Sequence, residues 1–147
     1  MVARQTRQIA APPQDVWAVV SDPHHFPRWW PGVVRVEGVG KEHFTQVFTT
    51  KRGRAVRMDF RVLASEAPEG GRGRVSFEQE ITGTPFEHVL NASVTEVALE
   101  GSEEGTRVTI SQQQKLRGYS RAGGLMLRRA TSKRLREALD GLDHACG

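Results

Sequence analysis

Apolar and polar positions alternate along most of this chain, and the period of the alternation changes near both ends. The opening, Arg4 to Ala10, reads as a strand that ends at Ala11-Pro12-Pro13. A helix follows, because proline is tolerated in a first helical turn, where its missing N–H had no partner anyway. Val16, Trp17, Val19 and Val20 give that helix an apolar stripe. Ser21-Asp22-Pro23 stops it, and a second short helical piece, His24 to Trp30, ends at Pro31-Gly32. Two short helices among so many prolines make a corner rather than a bundle.

Period two then takes over. Val34, Val36 and Val39 mark a strand before Gly40, and Phe44 to Thr50 with Ala55 to Leu63 form a hairpin turning at Lys51-Arg52-Gly53. Val56, Met58, Phe60 and Val62 fall on one face of its second strand, with Arg57, Asp59 and Arg61 on the other. After a turn at Glu69-Gly70-Gly71, the residues Val75, Phe77, Gln79 and Ile81 alternate with Ser76, Glu78, Glu80 and Thr82. Gly83-Thr84-Pro85 interrupts. Phe86, His88, Leu90, Ala92 and Val94 then share a face, and the parity slips before Val97 and Leu99, which places a bulge near Thr95-Glu96. Past the acidic turn Gly101 to Gly105, Val108, Ile110, Gln112, Gln114 and Leu116 close the sheet.

The final pattern is helical and begins after Gly123-Gly124. Leu127, Ala130, Thr131, Arg134, Leu135, Ala138, Leu139 and Leu142 recur at helical spacing, with Arg128, Arg129, Lys133, Arg136 and Glu137 largely opposite, and the helix is expected to end near Gly141. Strands that alternate apolar with polar have one dry side and one wet side. Only the long helix is large enough to cover the dry side. The expected fold is therefore α+β, a single domain over residues 1–147. A curved antiparallel sheet of about seven strands wraps around the long C-terminal helix, and two short helices after the first strand plug one end.

Composition narrows the class. The 147 residues suit one domain with a sizeable core, and 37% hydrophobic against 26% charged residues excludes a disordered chain. No apolar run approaches the roughly 20 residues of a membrane span, and Met1-Val2-Ala3-Arg4-Gln5 carries no apolar signal core. The one cysteine, Cys146, can form no internal disulfide and no metal site. The expected location is cytoplasmic. The net charge is +4, and because four of the 21 basic residues are lysines (Lys41, Lys51, Lys115, Lys133), 17 are arginines. They are scattered, so a solvated surface is expected and a nucleic-acid partner is not. Gly70-Gly71-Arg72-Gly73 lacks the spacing of a phosphate loop, no Gly-x-Ser-x-Gly elbow exists, and the adjacent His24-His25 would diverge on a helix. No metal and no cofactor are expected.

Ile9-Ala10-Ala11-Pro12-Pro13-Gln14-Asp15-Val16-Trp17, then Ser21-Asp22-Pro23, then Pro27-Arg28-Trp29-Trp30-Pro31 resemble the START/Bet v1-like (SRPBCC) superfamily. Within it they look most like the bacterial polyketide cyclase/dehydrase and lipid-transport group. Element order and the closing helix agree over nearly the whole chain. The resemblance implies a helix-grip fold with a deep cavity between sheet and C-terminal helix, its mouth near the short-helix corner, holding sterols, lipids, polyketides or other flat apolar molecules. It does not choose among the superfamily's activities.

The residues add detail. Phe48, Met58, Phe60, Phe77, Phe86, Leu90, Leu127 and Thr131 are candidate lining. Gln46, Gln79, His88, Gln112 and Gln114 add polar groups to inward faces. A buried amide without a partner costs about 1–3 kcal/mol, so several inward glutamines suggest water or a ligand with oxygens. His88 is the candidate acid/base group, because imidazole titrates near neutrality, and Gln79 could orient it. Trp29 and Trp30 sit in the corner that would gate the cavity, one of them packing in the core and the other lining the mouth; Trp17 reads as core, and Tyr119 could lend a hydroxyl at the opposite end. The superfamily's aromatase/cyclases are thought to use an inward arginine. Here Arg57 and Arg61 alternate outward, and Arg7, in parity with Ile9, would need a partner. Three readings follow. The first is binding or transport of a hydrophobic small molecule. The second is a polyketide cyclase, aromatase or dehydratase using His88. The third is a co-chaperone-like interaction module docking through Arg128, Arg129, Lys133 and Arg136. Oligomeric state stays open.

Overall fold

The structure, a computed structural model, describes residues 1–118 and 121–147. Tyr119 lies outside the described residues. Strand β1 (Val2–Ile9) leads into α1 (Pro13–Val20), a 3₁₀ turn (Pro23–His25) and α2 (Phe26–Trp29). Then come β2 (Val33–Glu37), β3 (His43–Thr49), β4 (Ala55–Glu69) and β5 (Arg72–Gln79). A second 3₁₀ turn (Pro85–His88) precedes β6 (Leu90–Ser102), β7 (Gly105–Leu116) and α3 (Arg121–Cys146). The seven strands form one antiparallel sheet in the order β1-β7-β6-β5-β4-β3-β2. Neighbours from β2 to β7 are joined in sequence, and β1 crosses to the far edge to pair with β7. This is the α+β helix-grip arrangement.

Helix α3 buries Thr131, Leu135, Ala138, Leu139 and Leu142, a stripe at helical spacing, and packs on β1, β7, α1 and α2. The short-helix corner is anchored by aromatics. Phe26 stacks on Trp29 with ring centroids 5.4 Å apart and meets Phe44 at 5.3 Å and Phe77 at 5.6 Å, while Phe44 and Phe60 stack at 5.2 Å. Such ring pairs contribute about 0.5–1.5 kcal/mol beyond their buried area. The buried Thr106 hydroxyl donates to the Ala11 carbonyl at 2.7 Å, tying the start of β7 to the entry of α1. Trp17 is half-buried and packs on the rim of the core.

Several local expectations are corrected. In β2 the buried valine is Val33, while Val34 is 51% exposed, because the register shifts between Val33 and Arg35; Val39 lies beyond the strand. β4 runs on past Leu63 to Glu69. Gly123 and Gly124 lie inside α3, which also continues through Gly141 to Cys146. Gly141 is there for contact rather than termination: a Cβ would stand 2.9 Å from Trp29 Cα and 3.0 Å from its carbonyl carbon. Ala130, placed on the inward stripe by spacing, is exposed.

One further correction bears on the site. Phe86 and His88 are not on a strand. Gly83 takes a positive φ of 79°, Thr84 caps the turn by accepting from the Phe86 N–H at 3.3 Å, and Pro85 starts it. β6 starts at Leu90, and its irregularity falls between Leu90 and Ala92 rather than at Thr95-Glu96. That single shift turns Ser93, Thr95, Val97 and Leu99 inward and leaves Ala92 and Val94 half-buried on the other face.

Candidate functional site

A cavity of about 600 Å³ lies between the sheet and α3. Its size falls within the ordinary range for a small-molecule pocket. Each contributing strand sends in the residues that its pleat dictates. β3 gives Gln46 and Phe48, β4 gives Val56, Met58 and Phe60, β5 gives Phe77 and Gln79, and β7 gives Gln112 and Gln114. β6 contributes Leu90 and Ser93, Trp30 closes the α2 side, Phe86 comes from the 3₁₀ turn, and α3 adds Leu127, Arg134 and Glu137.

Most residues expected from the sequence are thus brought together, but three are not. Trp29 is 3% exposed and Thr131 is also 3% exposed; both pack in the core instead of lining the cavity. His88 ends the 3₁₀ turn, is exposed and lies off the cavity wall, because the segment that carries it is not a strand. Of the tryptophan pair, Trp29 packs in the core and Trp30 lines the cavity, but Trp30 is itself buried, so neither frames the mouth. The exposed lining residues are Gly32, Thr49, Thr50, Val89, Arg134 and Glu137, so the opening lies between the loop after α2, the β3–β4 turn, the start of β6 and α3.

Among the lining residues missed by sequence reasoning are Ser93, hidden by the misplaced parity slip, Val56 on β4, and the rim residues Thr49, Val89, Arg134 and Glu137. Arg134 did carry a signal, since it follows Leu127 and Thr131 at helical spacing.

The cavity wall carries a polar band on an apolar background. Gln112 faces Thr95 across β7 and β6, and its Nε2 donates to the Thr95 hydroxyl at 3.0 Å. Gln114 Nε2 donates to the Ser93 hydroxyl at 3.3 Å. In each amide the second atom, Oε1, has no hydrogen-bond partner in the protein, and Gln79 Nε2 also has none. Gln46 is 2% exposed, and Gln79 and Gln112 are each 8% exposed. Rotating an amide exchanges which end meets the hydroxyl but still leaves one end unpaired. Each unpaired end costs about 1–3 kcal/mol unless something meets it.

Charge is kept to the rim and the outer face. Arg134 and Glu137 are the ionisable residues in the lining, and both are exposed. Arg57 pairs with Glu37 at 3.3 Å and Arg61 with Glu78 at 3.0 Å, both on the outer face as their parity requires. Arg7 finds its partner in Asp140 of α3. Hydrogen bonds from Arg35 and Arg57 hold the Glu37 carboxyl below its ordinary range, and Arg74 does the same for Glu66. Among the described residues no cluster of three or more His, Cys, Asp or Glu could hold a metal ion. No helix among them is long and apolar enough to cross a membrane.

A sheet gripping a long helix over a partly polar hollow defines a protein of the SRPBCC, Bet v1-like class. The chain matches the polyketide cyclase / dehydrase and lipid transport family over residues 2–147 and belongs to it. Among solved structures it is similar to the di-domain ARO/CYC BexL from the BE-7585A biosynthetic pathway, with a TM-score of 0.77 and 24% identity, over 98% of this chain and 45% of that one. It is also similar to the di-domain ARO/CYC StfQ from the steffimycin pathway, with a TM-score of 0.75 and 16% identity, over 99% and 50% of the two chains. A protein of Thermus thermophilus matches with a TM-score of 0.72 and 22% identity, over 98% of this chain and 95% of its own. At these identities the likeness is one of fold. No curated protein matches.

Proposed function

We propose that this protein binds or carries a flat, mainly apolar small molecule that bears hydroxyl or carbonyl oxygens, such as a polyketide-derived ring system or a sterol. The observation that carries this reading is the row of buried amide ends, Gln79 Nε2, Gln112 Oε1 and Gln114 Oε1, unpaired on a wall otherwise built from Phe48, Met58, Phe60 and Phe77. An amide N–H calls for a ligand oxygen, and an amide oxygen calls for a ligand hydroxyl. A saturated fatty chain offers neither to the middle of the cavity. The aromatic walls suit a rigid ring system, which loses little entropy on binding.

The second reading is a cyclase or aromatase, favoured by the family's description and by the fold shared with two ARO/CYC proteins. General acid–base chemistry needs a titratable group within hydrogen-bond reach of the reacting atoms. The cavity offers Glu137 and Arg134 at its rim, and glutamines inside. That favours binding over proton transfer.

Trp30 lines the cavity, so titration followed by tryptophan fluorescence tests both ideas. A hydroxylated anthraquinone is expected to bind well and palmitate poorly. Gln79→Leu is expected to weaken the anthraquinone about tenfold, the worth of one well-made buried hydrogen bond, and to leave palmitate unchanged. Equal binding of the two probes, or indifference to Gln79→Leu, would overturn the reading. Turnover of a poly-β-keto substrate that disappears in Glu137→Gln would favour the cyclase.

A further inference from the structure

The strongest feature that ligand binding leaves unused is a segregation of charge. Residues 105–136 hold nine basic side chains and no acidic one. Against +4 for the whole chain, that leaves −5 for the remainder. Residues 121–136 of α3 gather Arg121, Arg128, Arg129, Lys133, Arg134 and Arg136. Among the described residues, the ion pairs that α3 makes are Lys133–Glu137, at 4.0 Å, and Asp140–Arg7. Both carboxylates lie C-terminal to the basic run.

Set among these cations are Leu125, 52% exposed, and Met126, at 71% the most exposed large apolar side chain of the described residues. Helical spacing lines Leu125, Met126, Arg129, Lys133 and Arg136 along one exposed face. The stripe beside it carries Leu127 and Arg134, which line the cavity. An apolar ridge thus borders the cavity mouth, flanked by cations of which only Lys133 has a carboxylate partner among the described residues.

From this arrangement we infer that the N-terminal half of α3 docks on an anionic lipid surface, with Leu125 and Met126 entering the headgroup layer. The two chemistries choose the partner together. Basic residues are drawn to the negative potential of anionic headgroups, while exposed Leu and Met gain by leaving water for the acyl boundary. A nucleic-acid backbone would engage the arginines and give Leu125 and Met126 nothing. Docked this way, the mouth faces the bilayer, and an apolar guest could pass between lipid and cavity without crossing water.

Sedimentation of the full chain with vesicles tests the inference with no cavity ligand present, so its outcome is independent of the binding reading above. The protein is expected to pellet with phosphatidylglycerol-containing vesicles, to stay in solution with pure phosphatidylcholine, and to be released by high salt. Arg128→Gln with Arg129→Gln is expected to lower partitioning by more than about tenfold, the usual worth of two basic residues at an anionic surface. Leu125→Ser with Met126→Ser is expected to lower it severalfold while circular dichroism stays unchanged, since both side chains are exposed. Failure to pellet with anionic vesicles would overturn the inference. So would equal pelleting with neutral ones, or an affinity for RNA that exceeds that for vesicles and is indifferent to the Leu125/Met126 pair.

Discussion

Gly141 is the residue where ordinary expectation reverses. A glycine in a helix interior is usually less stable than alanine by about 1 kcal/mol, so Gly→Ala normally helps. Here α3 passes so close to α2 that a methyl group would press into the Trp29 backbone, with its Cβ 2.9 Å from Trp29 Cα. Neither partner can yield easily, because Trp29 is held by stacking on Phe26 and an edge contact with Trp30. Gly141→Ala is therefore expected to destabilise by about 1–3 kcal/mol, the usual cost of overpacking. Gly124 is the internal control. Its Cβ would meet only Leu116 Cδ1, at 3.9 Å, so Gly124→Ala is expected to stabilise by up to about 1 kcal/mol. Urea midpoints of the two variants would settle both signs. Nothing in the order of residues tells these glycines apart, because close approach of two helices is a tertiary fact.

At the scale of elements, alternation and most of its turns were legible, but the point at which parity resets before β6 was not. β3, β4, β5 and β7 placed Gln46, Met58, Phe60, Phe77, Gln79, Gln112 and Gln114 on the cavity wall because a pleated strand leaves no other choice once its face is set. β6 failed because Phe86, His88, Leu90 and Ala92 mimic alternation across a capped 3₁₀ turn and a bulge, two features that reset the parity without changing composition. Ser93 was lost for that reason, and His88 was gained for it. The wet face of the sheet carries ion pairs: Arg57 and Arg35 on Glu37, and Arg74 between Glu66 and Glu96. Glu37 and Glu66 are both held below their ordinary value of 4.5, first by the arginine hydrogen bonds. A carboxylate lowered in the fold favours folding above the unfolded value, and that contribution is lost as pH falls through the lowered one. Thermal midpoints are expected to be flat above about pH 5 and to fall below it. Because these pairs are exposed, the fall should be shallow and blunted by salt. Substituting Glu66→Gln should reduce its slope, and an unchanged acid limb in that variant would assign the loss to other carboxylates.

For the whole molecule, the hollow itself is the costly feature. A chain of 147 residues that keeps about 600 Å³ unfilled between its sheet and its longest helix forgoes dispersion contacts along both walls. It also leaves amide ends unpaired there. Such a gap, if it served nothing, would be a site where larger side chains improve stability at no loss, and proteins that retain strained or underpacked sites usually do so for activity. Ser93 separates the two cases. It is 4% exposed, faces the cavity from β6, and its hydroxyl meets one amide, that of Gln114. Ser93→Phe puts a ring into the void against Leu90 and Phe77 rather than into packed atoms. The gain from filling opposes the loss of the Ser93 hydroxyl, which leaves Gln114 Nε2 unpaired at a cost of about 1–3 kcal/mol, so the thermal midpoint should change little. Binding of a hydroxylated ring ligand should fall by more than about tenfold, because the ring would occupy the guest's place. Ala92→Phe, one residue earlier and on the opposite face, should leave binding intact. If both variants bind equally well, the guest does not sit between β6 and α3; if Ser93→Phe instead unfolds the protein, that wall is packed rather than hollow.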